Sequence, residues 1–184
     1  MPGACSLMPD AGRRAAVPHG YGVPMDPIEQ RVIDHLDALL AAYEIVRIDP
    51  DFADTAAFCE HYGYALEDSA NAILVASRKP EGRNALCLAL ATTRLDVNHT
   101  VRDLLDVRKL SFASPELTAE VTGMEIGGVT PFGVPDDLRV YVDAQITVLP
   151  RCIVGGGSRS MKVLVDPEVF TRMASVQVVD GLAG

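Results

Sequence analysis

Two apolar runs lie back to back in the middle of the chain: "NAILVAS" at residues 71–77 and "ALCLALAT" at residues 85–92, separated by "RKPEGRN". Each reads as a buried strand, and the Pro80–Gly82 turn between them predicts an antiparallel hairpin. The flanking segments alternate irregularly between helix and strand patterns. Asp26, Pro27 and Glu29 mark a helix start with a capping box, and Ile28, Val32, Leu36, Leu39 and Tyr43 recur at helical spacing, so the first helix runs to about Tyr43. "YEIVRID" alternates as a strand. Asp54 opens a short helix through Tyr62, closed by Gly63. A helix from about Val97 to Val107, the strand "KLSFA", and a helix from Ser114 to Gly123 follow. "LRVYVDA", "RCIVG" and "SMKVLVD" are three further strands, then come a helix opened by Asp166-Pro167-Glu168 and the strand "VQVVDGL". This order, with hairpins instead of a regular strand–helix alternation, predicts an α+β fold with a mixed, largely antiparallel sheet.

Composition narrows the function. Hydrophobic residues make up 48% of the 184, with no Trp and 5% aromatics, so the core must be built from Ala, Val, Leu and Ile. The net charge of −9 argues against general binding to nucleic-acid backbone, but leaves room for a small contact with one end of an RNA. No run approaches the ~18 apolar residues of a membrane span. Cys5, Cys59, Cys87 and Cys152 are widely spaced and share no metal-ligand pattern with His19, His35, His61 or His99; the thiols read as reduced, in a cytoplasmic protein. Residues 1–27 hold five of the 12 prolines and four of the 15 glycines without a helix or strand period. Residues 1–25 therefore read as a flexible tail, and 26–184 as one domain.

The most unusual segment is Val121–Pro135, "VTGMEIGGVTPFGVP", with Gly123, Gly127, Gly128, Pro131 and Gly133 between a helix and a strand. Adjacent glycines let a backbone approach a ligand and aim successive N–H groups at one oxygen, and they equally make a tight structural loop. No nucleophile elbow, H-E-x-x-H or P-loop occurs in the chain.

"TGMEIGGVTPFG" resembles the glycine–proline loop of the YbaK/EbsC-type aminoacyl-tRNA deacylases, relatives of the editing insertion of bacterial prolyl-tRNA synthetases. "SANAILVAS", Leu95-Asp96, "RKLSFASPEL", "RVYVDA" and "IVGGGSRSMKV" line up in the same order, from Ile28 to Ser175. The resemblance implies a central mixed, largely antiparallel, partly barrel-like sheet surrounded by helices. It implies a free-standing enzyme that hydrolyses the ester of a mischarged tRNA by water attack, without metal, cofactor or covalent nucleophile. The partner is the aminoacyl-tRNA 3′ end, with an aminoacyl-tRNA synthetase as a further candidate and no membrane. By the same resemblance Gly127 and Gly128 supply backbone donors and Asp143 orders the pocket and orients the substrate. Asn71, Lys109, Thr130, Pro131, Phe132 and Gly156 contact the substrate.

One departure stands out. Asn71 occupies the position where the family usually carries a Lys that holds the terminal phosphate, and a neutral amide bonds phosphate roughly half as strongly as a cation. That substitution supports an alternative: a weakened pocket protein that binds aminoacyl-tRNA, a nucleotide or a synthetase without turnover. Lys109 is the nearest replacement cation in the sequence; alternation along "KLSFA" puts Lys109, Ser111 and Ala113 on one face. Arg108, Arg151, Arg159 and Lys162 read as surface charge, and an ion pair between Asp143 and Arg139 is the ordinary alternative for that acid.

Overall fold

A computed structural model describes residues 25–184. The tail expected over residues 1–25 lies, except for Met25, outside the described residues, as do Cys5 and His19. In chain order the elements are α1 (Pro27–Ala38), β1 (Tyr43–Arg47), α2 (Thr55–Tyr62), β2 (Ala70–Lys79), β3 (Glu81–Leu90), α3 (Arg102–Leu104), β4 (Lys109–Phe112), α4 (Pro115–Thr122), β5 (Arg139–Asp143), β6 (Cys152–Gly155), β7 (Met161–Val165), α5 (Glu168–Thr171) and β8 (Val176–Val179).

The central hairpin forms as expected, with Leu74 opposite Leu86 and Ala72 opposite Leu88. β3 is covered on both faces, which is why its apolar run does not alternate. Leu86 and Leu88 enter the main core with Val140, Val142 and Val163, while Ala85 and Cys87 enter a second cluster with Val75, Val101 and Tyr141. The strands form two sheets, in the orders β1-β7-β6 and β4-β2-β3-β5-β8. Four of the six pairings are antiparallel; β3–β5 and β5–β8 are parallel. The expected α+β class is what the chain adopts, but the sheets are not closed into a barrel. A single bridge, Ser69 to Ile153, joins β6 to the start of β2, and β4 pairs with β2 only from Val75 onward. Beyond the Ala113 N–H on the Leu74 carbonyl (2.9 Å), the edge of β2 from Ala70 to Leu74 has no strand partner, and a cavity opens there.

Three local expectations change. α1 stops at Ala38 because Leu40 turns left-handed (φ 51), and Tyr43 begins β1. Glu29 makes no capping box: it is 3% exposed and points inward to Ser158 and Arg47. The helix expected over Val97–Val107 is a π turn (Val97–Val101) running into the short α3. The Asp96 carboxylate accepts the His99 and Thr100 N–H groups at its start, and Asp106 ends the segment at φ 51.

Asp143 is 1% exposed at the end of β5. Its Oδ1 accepts the Gln145 N–H (2.8 Å), starting a 3-10 turn over Ala144–Val148, and its Oδ2 accepts the Ala183 N–H (2.8 Å). The carboxylate thus pins the C-terminal segment to the sheet. Hydrogen bonds to charged groups contribute about 1.5–3 kcal/mol each, so Asp143→Ala is expected to destabilise the fold by roughly 3 kcal/mol or more in denaturant unfolding.

Candidate active site

The site is assembled by two loops whose backbones touch. A Cβ on Gly128 would lie 2.5 Å from the Ser158 carbonyl, and one on Gly155 would lie 2.3 Å from the Val129 oxygen, so neither position admits a side chain. The Gly157 N–H donates to the Gly128 carbonyl at 2.8 Å and locks the two loops together. α1 braces both loops. Its Arg31 donates to the Thr122 carbonyl (2.5 Å), its His35 Nδ1 accepts the Gly133 N–H (2.8 Å), and its Glu29 accepts the Ser158 hydroxyl (2.5 Å) while pairing with Arg47. Burial lowers the His35 pKa and favours the neutral ring that this acceptor role requires.

Between these loops, the N-terminus of α2 and the open edge of β2 lies a cavity of about 500 Å³. Lys162 of β7 reaches it from below. The residue is 5% exposed, and its Nζ donates to the carbonyls of Ala53 (2.6 Å) and Gly127 (2.8 Å), 5.8 Å from the Phe58 ring centre. An ammonium carries three donors, so one N–H remains beyond these two bonds. Burial pushes its pKa down to about 8, partly opposed by the nearby Asp54 carboxylate. Asn71, at the start of β2, accepts the Thr55 hydroxyl on its Oδ1 (2.6 Å), which leaves its amide nitrogen as a donor. Arg159 straps the outside of the loop, donating to the carbonyls of Ile126 and Pro50 (both 2.9 Å) with Asp54 3.8 Å away.

Of the residues expected at the site, the structure brings Gly127 and Asn71 into the cavity wall. Gly128 lies behind the wall, and its N–H is spent on the Glu125 carbonyl (2.9 Å); the glycine is required by packing, not by an open donor. Gly156 is turned into the β6–β7 connection, with its N–H on Met161, and Gly155 lines the cavity in its place. Thr130, Pro131 and Phe132 are buried behind the loop. Phe132 stacks on Phe170 (5.7 Å), and the Thr130 hydroxyl has no hydrogen-bond partner among the described residues. Asp143 is occupied by the backbone bonds described above, on the face of β5 shared with Tyr141, away from the cavity. Lys109 sits opposite Lys79 at the far end of β4, whereas Ala113, four residues on, reaches the cavity; the separation along the strand is about 13 Å.

Lys162 is the residue that sequence reasoning assigned wrongly, to the surface. The signal in the sequence was a lone cation between Met161 and Val163 in an otherwise apolar strand, a position where a charge stays only if it is partnered. Among the described residues no three His, Cys, Asp or Glu side chains cluster as metal ligands. Cys59, Cys87 and Cys152 are buried free thiols, and burial pushes Cys87 and Cys152 up to about 12, which keeps both protonated.

The folded-state pKa of Lys162, near 8, lies below its ordinary 10.5, so between those values the unfolded chain binds the extra proton and stability rises with pH. Relative to Lys162→Met, the wild type is expected to gain a few kcal/mol of unfolding free energy from pH 8 to 10.5, at about 1.4 kcal/mol per pH unit. Chemical denaturation of both proteins across that range measures it.

Residues 49–173 match the model of the aminoacyl-tRNA editing domain. Over 74 residues the chain is 36% identical to the uncharacterized protein YwhH of Bacillus subtilis, covering 38% of this chain and 45% of that one. Over 55 residues it is 27% identical to a proline–tRNA ligase of Listeria welshimeri, covering 30% of this chain and 10% of the ligase. The match thus spans less than half the length of either curated relative. Among solved structures, one described as a proposed trans-editing enzyme for prolyl tRNA synthetase superposes with a TM-score of 0.71 at 22% identity, over 85% of this chain and 98% of that one, a likeness of fold. With more than half of its length matched, the chain belongs to the aminoacyl-tRNA editing domain family.

Proposed function

We propose that the protein is a trans-editing deacylase that hydrolyses the ester between a small, wrongly attached amino acid and the 3′ end of a tRNA. The observation that carries this reading is the convergence, in one cavity, of the Gly127 backbone, the Asn71 amide and the Lys162 ammonium. The Gly127 N–H makes no hydrogen bond among the described residues, and φ +94 gives the loop a shape that a side chain would strain. Two hydroxyls reach the cavity, and both protons are engaged: Thr55 donates to Asn71, and Thr118 donates to the Ser114 carbonyl (2.9 Å). That arrangement favours water over a side chain as the nucleophile. Attack forms a bond from water oxygen to the acyl carbon and places negative charge on the former carbonyl oxygen. The Gly127 N–H and the third N–H of Lys162 are donors available to hold it, with the Asn71 amide nitrogen as a further one. Breaking the bond to the ribose 3′ oxygen, with the proton lost by the attacking water delivered to that oxygen, frees the amino acid and the tRNA. Lys162 in this scheme supplies to the same cavity the positive charge that Asn71 lacks.

The test is deacylation of tRNAs charged with alanine, cysteine, serine, threonine and proline. One or two of these are expected to be hydrolysed, and Gly127→Val to lose about 10²–10³ in rate, since its Cβ would meet Arg159 Nη1 at 2.7 Å and strain the loop. Lys162→Met is expected to lose a similar factor and Lys162→Arg to lose less. With the ammonium as donor, the wild-type rate above the uncatalysed background falls as pH rises through about 8. No turnover of any charged tRNA, with binding retained, would replace the enzyme reading with a pocket that binds without hydrolysis.

A further inference from the structure

Four cations gather at one corner of the larger sheet. Arg78 and Lys79 end β2, Arg108 precedes β4 and Lys109 begins it; Lys79 pairs with Lys109 across the strands, and the Arg108 N–H donates to the Lys79 carbonyl (3.3 Å). All four are exposed, and none is in an ion pair with a described residue, in a chain of net charge −9. Cations commonly guard an edge strand against pairing with another chain, but that role needs charge on β4 alone, and Arg78 and Lys79 lie on the neighbouring strand. The acids nearby are Glu81, which begins β3 as the register partner of Arg78, and Asp106, 3.9 Å from Arg83.

β4 connects this corner to the cavity. Lys109, Ser111 and Ala113 follow one another along one face of the edge strand, and Ala113 forms part of the cavity wall. On the other face Phe112 is 59% exposed, an aromatic surface of the kind on which unpaired bases stack. From the cavity, Ser111 and Lys109 lead along one face of β4 to the cluster of unpaired cations, with the open Phe112 ring on the opposite face, and an edge of this kind is complementary to a single-stranded, unpaired end of a polyanion.

We propose that the β4 edge is the path of the single-stranded RNA 3′ end, with Phe112 stacking an unpaired base and the Arg78–Lys79–Arg108–Lys109 corner holding the phosphates that follow. This rests on the reading that the cavity takes the end of a tRNA. It gives Lys109 a role about 13 Å along the strand from the cavity wall: Lys109 anchors the nucleic acid and leaves the ester to the cavity. It also gives an acidic protein a local means of engaging RNA, through four exposed cations, unpaired among the described residues, at one corner.

The experiment measures binding of uncharged tRNA by fluorescence anisotropy over a range of salt concentrations. It compares the wild type, Lys79→Glu/Lys109→Glu, Arg78→Glu/Arg108→Glu, Phe112→Ala, and a control reversal, Arg94→Glu, at an exposed cation beside the C-terminal segment. Each double reversal is expected to weaken binding at least tenfold at low salt and to flatten the salt slope by about 0.7 for each phosphate no longer neutralised. Phe112→Ala is expected to weaken binding severalfold with the salt slope unchanged, and Arg94→Glu to change neither. With the charged tRNA that the wild type hydrolyses, the reversals raise KM and leave kcat near wild type, and hydrolysis of a minimal aminoacyl-adenosine ester is unaffected. Wild-type affinity and slope in both double reversals would overturn the path, as would unchanged tRNA binding with loss of association to an aminoacyl-tRNA synthetase, which would make the corner a protein interface. Weakened tRNA binding in the reversals, without hydrolysis by the wild type, would keep the path and remove the deacylase reading, so the two fail separately.

Discussion

The close approach of Gly128–Val129 to Gly155–Gly157 is the constraint on which the rest of the site depends. Two stretches of backbone come within distances that no Cβ allows, and one hydrogen bond from Gly157 to Gly128 fixes their register. Lys162 then bridges from β7 to the inner side of the same loop, through the Gly127 carbonyl, and to the turn before α2, through the Ala53 carbonyl. A buried ammonium is expensive to desolvate, and here two carbonyl acceptors and the face of Phe58 offset part of that penalty. The lowered pKa is the visible remainder of the imbalance. The cavity is thus held open by its own frame: the loop cannot settle onto β2 while Lys162 and Arg159 tether it on the other side.

Much of the fold was legible in the sequence. The hairpin, the helix stops at Gly63 and Gly123, and the order of the later strands all follow from local patterns that tertiary packing left alone. Legibility ended where a residue's role is set by something distant in sequence. Leu40 ends α1 in a left-handed conformation that its own side chain does not favour, and Arg172, far along the chain, donates to the Leu39 and Leu40 carbonyls there. Glu29 sat in a capping-box position but faces Ser158, 129 residues away.

The site divides in the same way. The glycines were found because glycine spacing is a local signal, and Asn71 was placed by its position at the head of an apolar strand. What spacing could not separate was which glycines line the cavity: Gly127 and Gly155 do, the latter while also packing on the Val129 backbone, and Gly128 and Gly156 do not. Asp143 and Phe132 carry the chemistry expected of a pocket, and packing spends both elsewhere, on backbone N–H groups and on Phe170. Lys162 lines the cavity and Lys109 lies at the far end of β4, because strand alternation gives the face on which a lysine lies but not its position along the sheet.

The cavity wall and the cavity frame are made of different parts. The frame is backbone against backbone, the pairing of Glu29 with Arg47 and the Lys162 bridge, and its closest backbone contacts admit no side chain. Much of the wall, by contrast, is short apolar side chains, Ala72, Ala91 and Ala113 among them, whose methyl groups carry no hydrogen bond. Enlarging one of them shrinks the chamber without disturbing what holds it up. Under the proposed deacylase reading, single steps in wall size would change which acyl group fits while leaving the Gly127–Lys162 frame in place, so the chamber can be retuned without being rebuilt.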